Sequence, residues 1–271
     1  MRRLLLPLAL GLVALLLGAA LLAPWIAPHD PAATDLARRL LPPSAAHWLG
    51  TDHLGRDLLS RLLWGARASF GAVAAILALV LALGCAVGML AGMLGGVVDA
   101  VLMRLCDAFM TVPTLVLALF MIGALGTGLG NVVVAIALSH WAWYARLVRG
   151  LTLSLRQRDH ILAARVAGLS RLAILRRHVL PALAGQLAVL TSLDLGHWML
   201  HLAGLSFLGL GVAPPAPEWG IMINDARPFF RSAPMLVLLP GAAILLTVLA
   251  FNLLGDALRD RLDPTLREHA H

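Results

Sequence analysis

The sequence predicts an all-α polytopic membrane protein with about six transmembrane helices, and three observations carry that prediction. Of its 271 residues, 60% are hydrophobic and only 13% charged, with a mean hydropathy of +0.88, whereas soluble domains run at about 45–50% apolar and about 25% charged. Uncharged stretches recur at about twenty residues, the length a helix needs to cross a hydrocarbon core of about 30 Å. No segment shows the apolar and polar alternation of a half-buried strand. A soluble core-and-shell domain and a disordered chain are both excluded. The net charge of +7 comes from 21 arginines with no lysine. In a membrane chain such an excess reports topology rather than a nucleic-acid partner. Two cysteines, Cys85 and Cys106, cannot build a disulfide framework or a paired thiolate metal site.

The first expected span is Leu4 to Ala23, behind Arg2 and Arg3. It is long for a signal h-region and lacks a clear small-residue cleavage site before Pro24, so it reads as a retained helix. Ala68 to Val98 supplies a second span. Ala108 to Ala145 is uncharged as well, and Gly126-Thr-Gly-Leu-Gly-Asn131 divides it into two short spans. A fifth runs from about Gln186 to Val212 and a sixth from Met235 to Gly255. With the N-terminus inside, fourteen arginines fall on the inner side and seven outside. That bias puts both termini in the cytoplasm.

Leu54-Gly-Arg-Asp-Leu-Leu-Ser-Arg-Leu-Leu-Trp-Gly-Ala-Arg67 carries leucines at helical spacing, with Arg56, Ser60 and Arg67 on the other side. It reads as a segment lying along the membrane surface, or packed on a neighbouring subunit. Gly84, Gly88 and Gly92 recur every fourth residue in the second span. Missing side chains at that spacing let another helix approach closely, and the packing is expected within the chain.

The stretch Gln157–Pro181 lies outside the expected spans. Gly168 suits a helix C-cap and Ser170 the N-cap of a second helix, which Pro181 should limit. Small residues Ala163, Ala164 and Ala167 would allow a close fit into a partner's groove; a solvated basic connector is the other reading.

The run Ala163-Ala164-x-x-x-Gly168, followed by Val179-Leu180-Pro181, resembles the EAA loop of ABC-importer permeases. The position that is usually Glu is Leu162 here, a departure from that pattern. Further stretches carry the resemblance across essentially the whole chain: His47–Asp57, Leu205–Gly211, Pro217-Glu-Trp-Gly220 and Asn252–Pro264. Together they resemble the C-type permease of the dipeptide, oligopeptide and nickel group. The resemblance implies the ABC importer permease fold, with residues 68–271 as the transmembrane domain and a cytoplasmic coupling loop at about 148–182. Residues 1–67 are then an N-terminal transmembrane helix plus a periplasmic or interfacial segment. Leu162, Ala163, Ala164, Gly168, Leu180 and Pro181 would meet the ATP-hydrolysing subunits. Implied partners are a homologous second permease, two cytoplasmic ABC ATPases, an external substrate-binding protein and membrane lipid. The ATPases would use ATP and Mg; no cofactor is expected on this chain, which has no G-x-x-x-x-G-K-[ST] loop.

Ionisable residues inside a span are costly and point to function. Asp194, His197 and His201 fall at offsets of three and four residues, on one helical face of the fifth span. Imidazole and carboxylate suit a borderline divalent ion such as nickel, and also zinc, copper or cobalt. His140 adds a fourth group in the fourth span. The passages Ser139–Arg146 and Asp194–His201 look most like the nickel-importing permease, with His197 and His201 as transient metal ligands. These histidines could instead bond neighbouring helices and hold the bundle together. A dipeptide permease is the close alternative. An intramembrane hydrolase is disfavoured, because Gly204-Leu-Ser-Phe-Leu208 misses the G-x-S-x-G pattern and H-E-x-x-H is absent. The terminal Glu268-His-Ala-His271 reads as a frayed tail.

Overall fold

The computed structural model describes residues 2–213 and 215–262. The terminal Glu268–His271 lies outside them. Among the described residues the chain is helical, and its one β-pairing is an isolated bridge between Thr51 and Asp57. In chain order the helices are α1 (Arg2–Ile26), α2 (Leu58–Leu94), α3 (Gly96–Thr111), α4 (Thr114–Leu125) and α5 (Leu129–Arg156). They continue with α6 (Asp159–Val166), α7 (Arg171–Ile174), α8 (Leu180–Phe207), α9 (Trp219–Ala226) and α10 (Met235–Leu262).

Four helices, or continuous helical runs, are long and apolar enough to cross a membrane: Leu6–Ile26, Leu58–Leu94, Arg171–Phe207 and Met235–Arg261. The pair α3 and α4 passes together but is bent by 91°. The bend falls at Val112, which takes extended backbone ahead of Pro113, because a proline ring disfavours helical geometry in the residue before it. The sequence reading placed a break only at Gly126–Asn131, where the chain does turn between α4 and α5. Helix α5 has 28 residues, long enough to cross, and is more polar than the other long helices because it carries His140, two tryptophans and three arginines. Among the described residues, four spans, or five with the bent pair taken as one broken span, meet the length and composition of a crossing helix, and α5 brings the count to about six.

The fifth span departs from its expected limits. Instead of starting near Gln186 it is continuous with α7, through a five-residue π-helical turn at Leu175–Val179, and it ends at Phe207. Pro181 does not stop the helix, contrary to the sequence reading. It sits in the first turn of α8, and the widened turn before it relieves the hydrogen bond that proline cannot make.

Helix α2 spans 37 residues, about 55 Å at 1.5 Å per residue, well beyond a bilayer core of about 30 Å. It runs unbroken through residue 67. Its first turn does not present the exposed polar face that the helical spacing predicts. Arg56, Ser60 and Arg61 are buried, at 1%, 0% and 2% exposure, and only Arg67 is exposed. The reason is charge compensation. Arg56 Nε pairs with Asp52 at 2.6 Å, Arg61 Nε reaches the same carboxylate at 3.4 Å, and both guanidinium groups approach Asp225. Buried charges persist only when so paired. The loop before α2 and the segment from α9 thus close a polar cap over one end of the bundle.

The glycine ladder packs within the chain, as expected. A Cβ at Gly84 would meet Tyr144 at 2.6 Å, at Gly88 the Ala145 carbonyl at 2.4 Å, and at Gly92 Thr152 at 2.7 Å. Helices α2 and α5 therefore touch backbone to side chain along three turns. At the cap, Glu218 is fully buried and caps α9 through the Gly220 and Ile221 amides at 2.9 and 3.1 Å, while Ser69 donates to it from α2. That explains why Pro217-Glu-Trp-Gly220 stands out as a motif. Trp219 Nε1 donates to the Leu62 carbonyl, and a side chain on Gly220 would strike α8 at Ala203.

Candidate ion pathway and coupling loop

Helices α5 and α8 bring His140, His197 and His201 together. One ring nitrogen of each lies within 4.8 Å of the other two. Ring centroids are 4.3 Å apart for His197 and His201, 5.3 Å for His140 and His201, and 6.0 Å for His140 and His197. His197 and His201 are one helical turn apart on α8, so they share a face, and His140 meets them from across the helix contact. Two of the rings are oriented by their own helices. His140 Nδ1 donates to the Ile136 carbonyl at 2.8 Å, and His201 Nδ1 donates to the His197 carbonyl at 3.0 Å. A carbonyl only accepts, so each Nδ1 carries the proton and each Nε2 keeps its lone pair. Such outer hydrogen bonds are what fix the tautomer of a metal-binding imidazole.

Asp194 lies beside this group, not in it. It shares a cavity of about 300 Å³ with His140 and His197, walled by Phe109, Trp143 and Trp198. Its carboxylate accepts a short hydrogen bond from the Tyr144 hydroxyl of α5. Tyr144 is buried at 1% exposure and was not among the sequence candidates. The signal was available: it follows His140 by four residues, hence on the same helical face.

The coupling-loop residues fall where the sequence reading put a helix, turn and helix. Gly168 holds φ +83°, the left-handed conformation in which glycine alone is unstrained. Ser170 caps α7 by accepting from the Ala173 amide at 3.2 Å. Leu162 and Ala163 are exposed on α6, Ala164 is half-buried, and Leu180 and Pro181 are exposed at the start of α8. Leu162 also borders a hollow of about 320 Å³ with Leu153, Arg156, Gln157 and Arg165. The polar cap and the candidate coupling loop occupy opposite ends of α2 and α5: Asp57 caps the start of α2, and α6 follows the end of α5.

Residues 84–268 match the family model of the binding-protein-dependent transport system inner membrane component. The chain belongs to that family. Residues 8–43 of this permease also match the N-terminal TM domain of oligopeptide transport permease C. The permease is 56% identical to the nickel transport system permease protein NikC of Escherichia coli K12, over 97% of this chain and 96% of that one. It is 44% identical to the probable D,D-dipeptide transport system permease protein DdpC of the same strain, over 93% and 85% of the two chains. It is 45% identical to the glutathione transport system permease protein GsiD of Pectobacterium atrosepticum, over 94% and 85%. The permease is thus a multi-pass inner-membrane subunit of a transport system.

Proposed function

We propose that this permease translocates nickel ions, with His140, His197 and His201 as the group that the ion passes. The observation that carries the reading is three imidazoles from two helices whose ring nitrogens lie within 4.8 Å of one another, beside an aromatic-walled cavity that also holds Asp194. Imidazole nitrogen suits a borderline ion such as nickel. The identity to the nickel permease exceeds that to the dipeptide and glutathione permeases, which supports the same choice. Three neutral donors replace part of the hydration shell without a formal charge to trap the ion, and conduction needs such weak, releasing sites. Asp194, held by Tyr144, adds a negative field at the cavity wall.

In this reading the permease pairs with a homologous permease, receives substrate from an external binding protein and is driven by two cytoplasmic ATPases that use ATP and Mg. The loop from Leu162 to Pro181 passes their closure to α8, whose helix is continuous with it. The ATPases bias the bundle between inward and outward states, and the ion crosses by alternating access. Both termini face the cytoplasm. The arginine bias supports this orientation, and more so because Arg56 and Arg61 on the outer side are neutralised within the cap. A cysteine at Ser170 then labels only from the cytoplasm and one at Ala216 only from outside; labelling of both from one side overturns the orientation.

The deciding experiment is uptake of radiolabelled nickel and of a labelled dipeptide by cells with and without the chain. Chain-dependent nickel uptake supports the reading, and chain-dependent dipeptide uptake alone replaces it.

A further inference from the structure

Outside the bundle core, the polar cap holds a second group of ligating side chains that the transport reading does not use. His29 follows the end of α1, His47 lies in the loop before α2, and Asp57 caps α2. One donor atom from each lies within 4.8 Å of the others. We infer that His29, His47 and Asp57 form a divalent metal site of two imidazoles and one carboxylate, taking a first-row ion of the nickel, cobalt and zinc class.

The carboxylate is divided between two tasks. Asp57 Oδ2 accepts from the Ser60 amide at 2.8 Å and the Ser60 hydroxyl at 2.7 Å, which anchors the group to α2. Oδ1 is left to face both imidazoles. His47 Nδ1 stands 2.9 Å from it and His29 Nδ1 stands 3.6 Å from it. The second separation is too long for a hydrogen bond. Both match ligand-to-ligand spacings around a shared ion. Bonds of about 2.1 Å put neighbouring donors about 3.0 Å apart in an octahedron and about 3.4 Å apart in a tetrahedron.

Burial and access also fit. The Asp57 and His47 side chains are 1% and 7% exposed, whereas the His29 side chain is 39% exposed. Two ligands are therefore held by the interior, and the third closes the site from the solvent side. His47 Nε2 is buried without a partner, so the ring's one hydrogen bond is the Nδ1 contact to Asp57, which a bound ion would replace. Three protein ligands leave coordination positions open to water. The bound ion would tie the end of α1, the cap loop and the start of α2 to one point.

The test uses the full-length chain in detergent, in a His197→Ala/His201→Ala background that removes the cluster within the bundle. Cobalt(II) is the probe, read by bound metal per chain and by the visible ligand-field spectrum of nitrogen and oxygen ligands. One bound ion is expected in this background. Adding His29→Ala should weaken binding at least ~10-fold, since losing even an outer-shell partner of a metal ligand costs that much. The substitution keeps the His29 amide bond to Ser60 Oγ and removes a part-exposed ring that packs on His47 at 4.7 Å between centroids; its size-exclusion profile should match that of the parent. No bound cobalt in the background, or unchanged cobalt affinity after His29→Ala, overturns the site. Neither result bears on nickel uptake, which reads the other histidines.

Discussion

The Tyr144 hydroxyl of α5 donates to the Asp194 carboxylate of α8, fifty positions away in sequence, at the edge of the histidine group. This bond fixes where Asp194, the only carboxylate lining that cavity among the described residues, points. Tyr144→Phe leaves the ring packed but takes away the donor. Loss of one hydrogen bond to a charged group costs about 1–3 kcal/mol. The variant is expected to assemble with a lowered thermal midpoint and to import nickel more slowly at low concentration. Unchanged uptake and stability would mean that the bond contributes to neither.

His197→Ala and His201→Ala each remove one of three clustered imidazoles. Each should lower nickel uptake at least ~10-fold, the scale on which metal sites respond to lost support. Assembly of the complex should be normal, because His201 Nδ1 bonds only its own helix and His197 is exposed to the cavity side. Normal uptake by both variants removes the cluster from the path; loss of complex yield instead assigns the rings a structural role.

Gly168→Val tests the coupling loop. A Cβ there meets nothing within 4 Å, yet φ is +83°, so the cost is backbone strain alone, about 1–3 kcal/mol for a non-glycine residue so held. The chain should insert normally while ATP-driven uptake falls. Wild-type uptake by the variant would separate this turn from the motor contact.

Gly88→Ala should separate α2 from α5. Its methyl would stand 2.4 Å from the Ala145 carbonyl and 2.8 Å from Val148 Cβ, and overpacking of this kind costs about 1–3 kcal/mol. Gly71→Ala, on the same helix, meets nothing within 4 Å. Thermal unfolding in detergent should drop for the first variant only.

The cap should loosen in acid through His53. Burial lowers its pKa below the ordinary histidine value; Asp52 and Asp225 oppose the shift, while Arg56 and Arg61 add to it. The folded state therefore binds the proton less well than the unfolded state. Stability is undiminished above the ordinary value and is lost as pH falls through it toward the folded value, where the loss levels off. Amide protection factors across residues 52–58, corrected for the slower intrinsic exchange in acid, should fall between about pH 7.5 and about pH 5.5. His53→Phe, which can keep the stack on Phe229, should lack that step. An identical pH response in both proteins would assign it to other groups.

Composition and spacing alone determined that this chain crosses the membrane several times, since a run of about twenty apolar residues has few other homes. They also determined the loop turn at Gly168 and the ladder at Gly84, Gly88 and Gly92, because glycine at such positions answers a local or nearest-neighbour demand. The same holds for the shared face of His197 and His201, one turn apart on one helix. Tertiary structure decided the rest. Pairing His140 with that face required the α5 and α8 contact, and Asp194 could be assigned to Tyr144 only once those helices met. The helical pattern of Leu54–Arg67 could not tell a surface segment from a buried one. Asp52 is a local partner, four residues before Arg56, but Arg56 and Arg61 are buried together only because Asp225 arrives from α9 to share their charge. Hydrophobic periodicity is written in neighbours along the chain; the burial of a charge depends on a partner that the fold alone supplies.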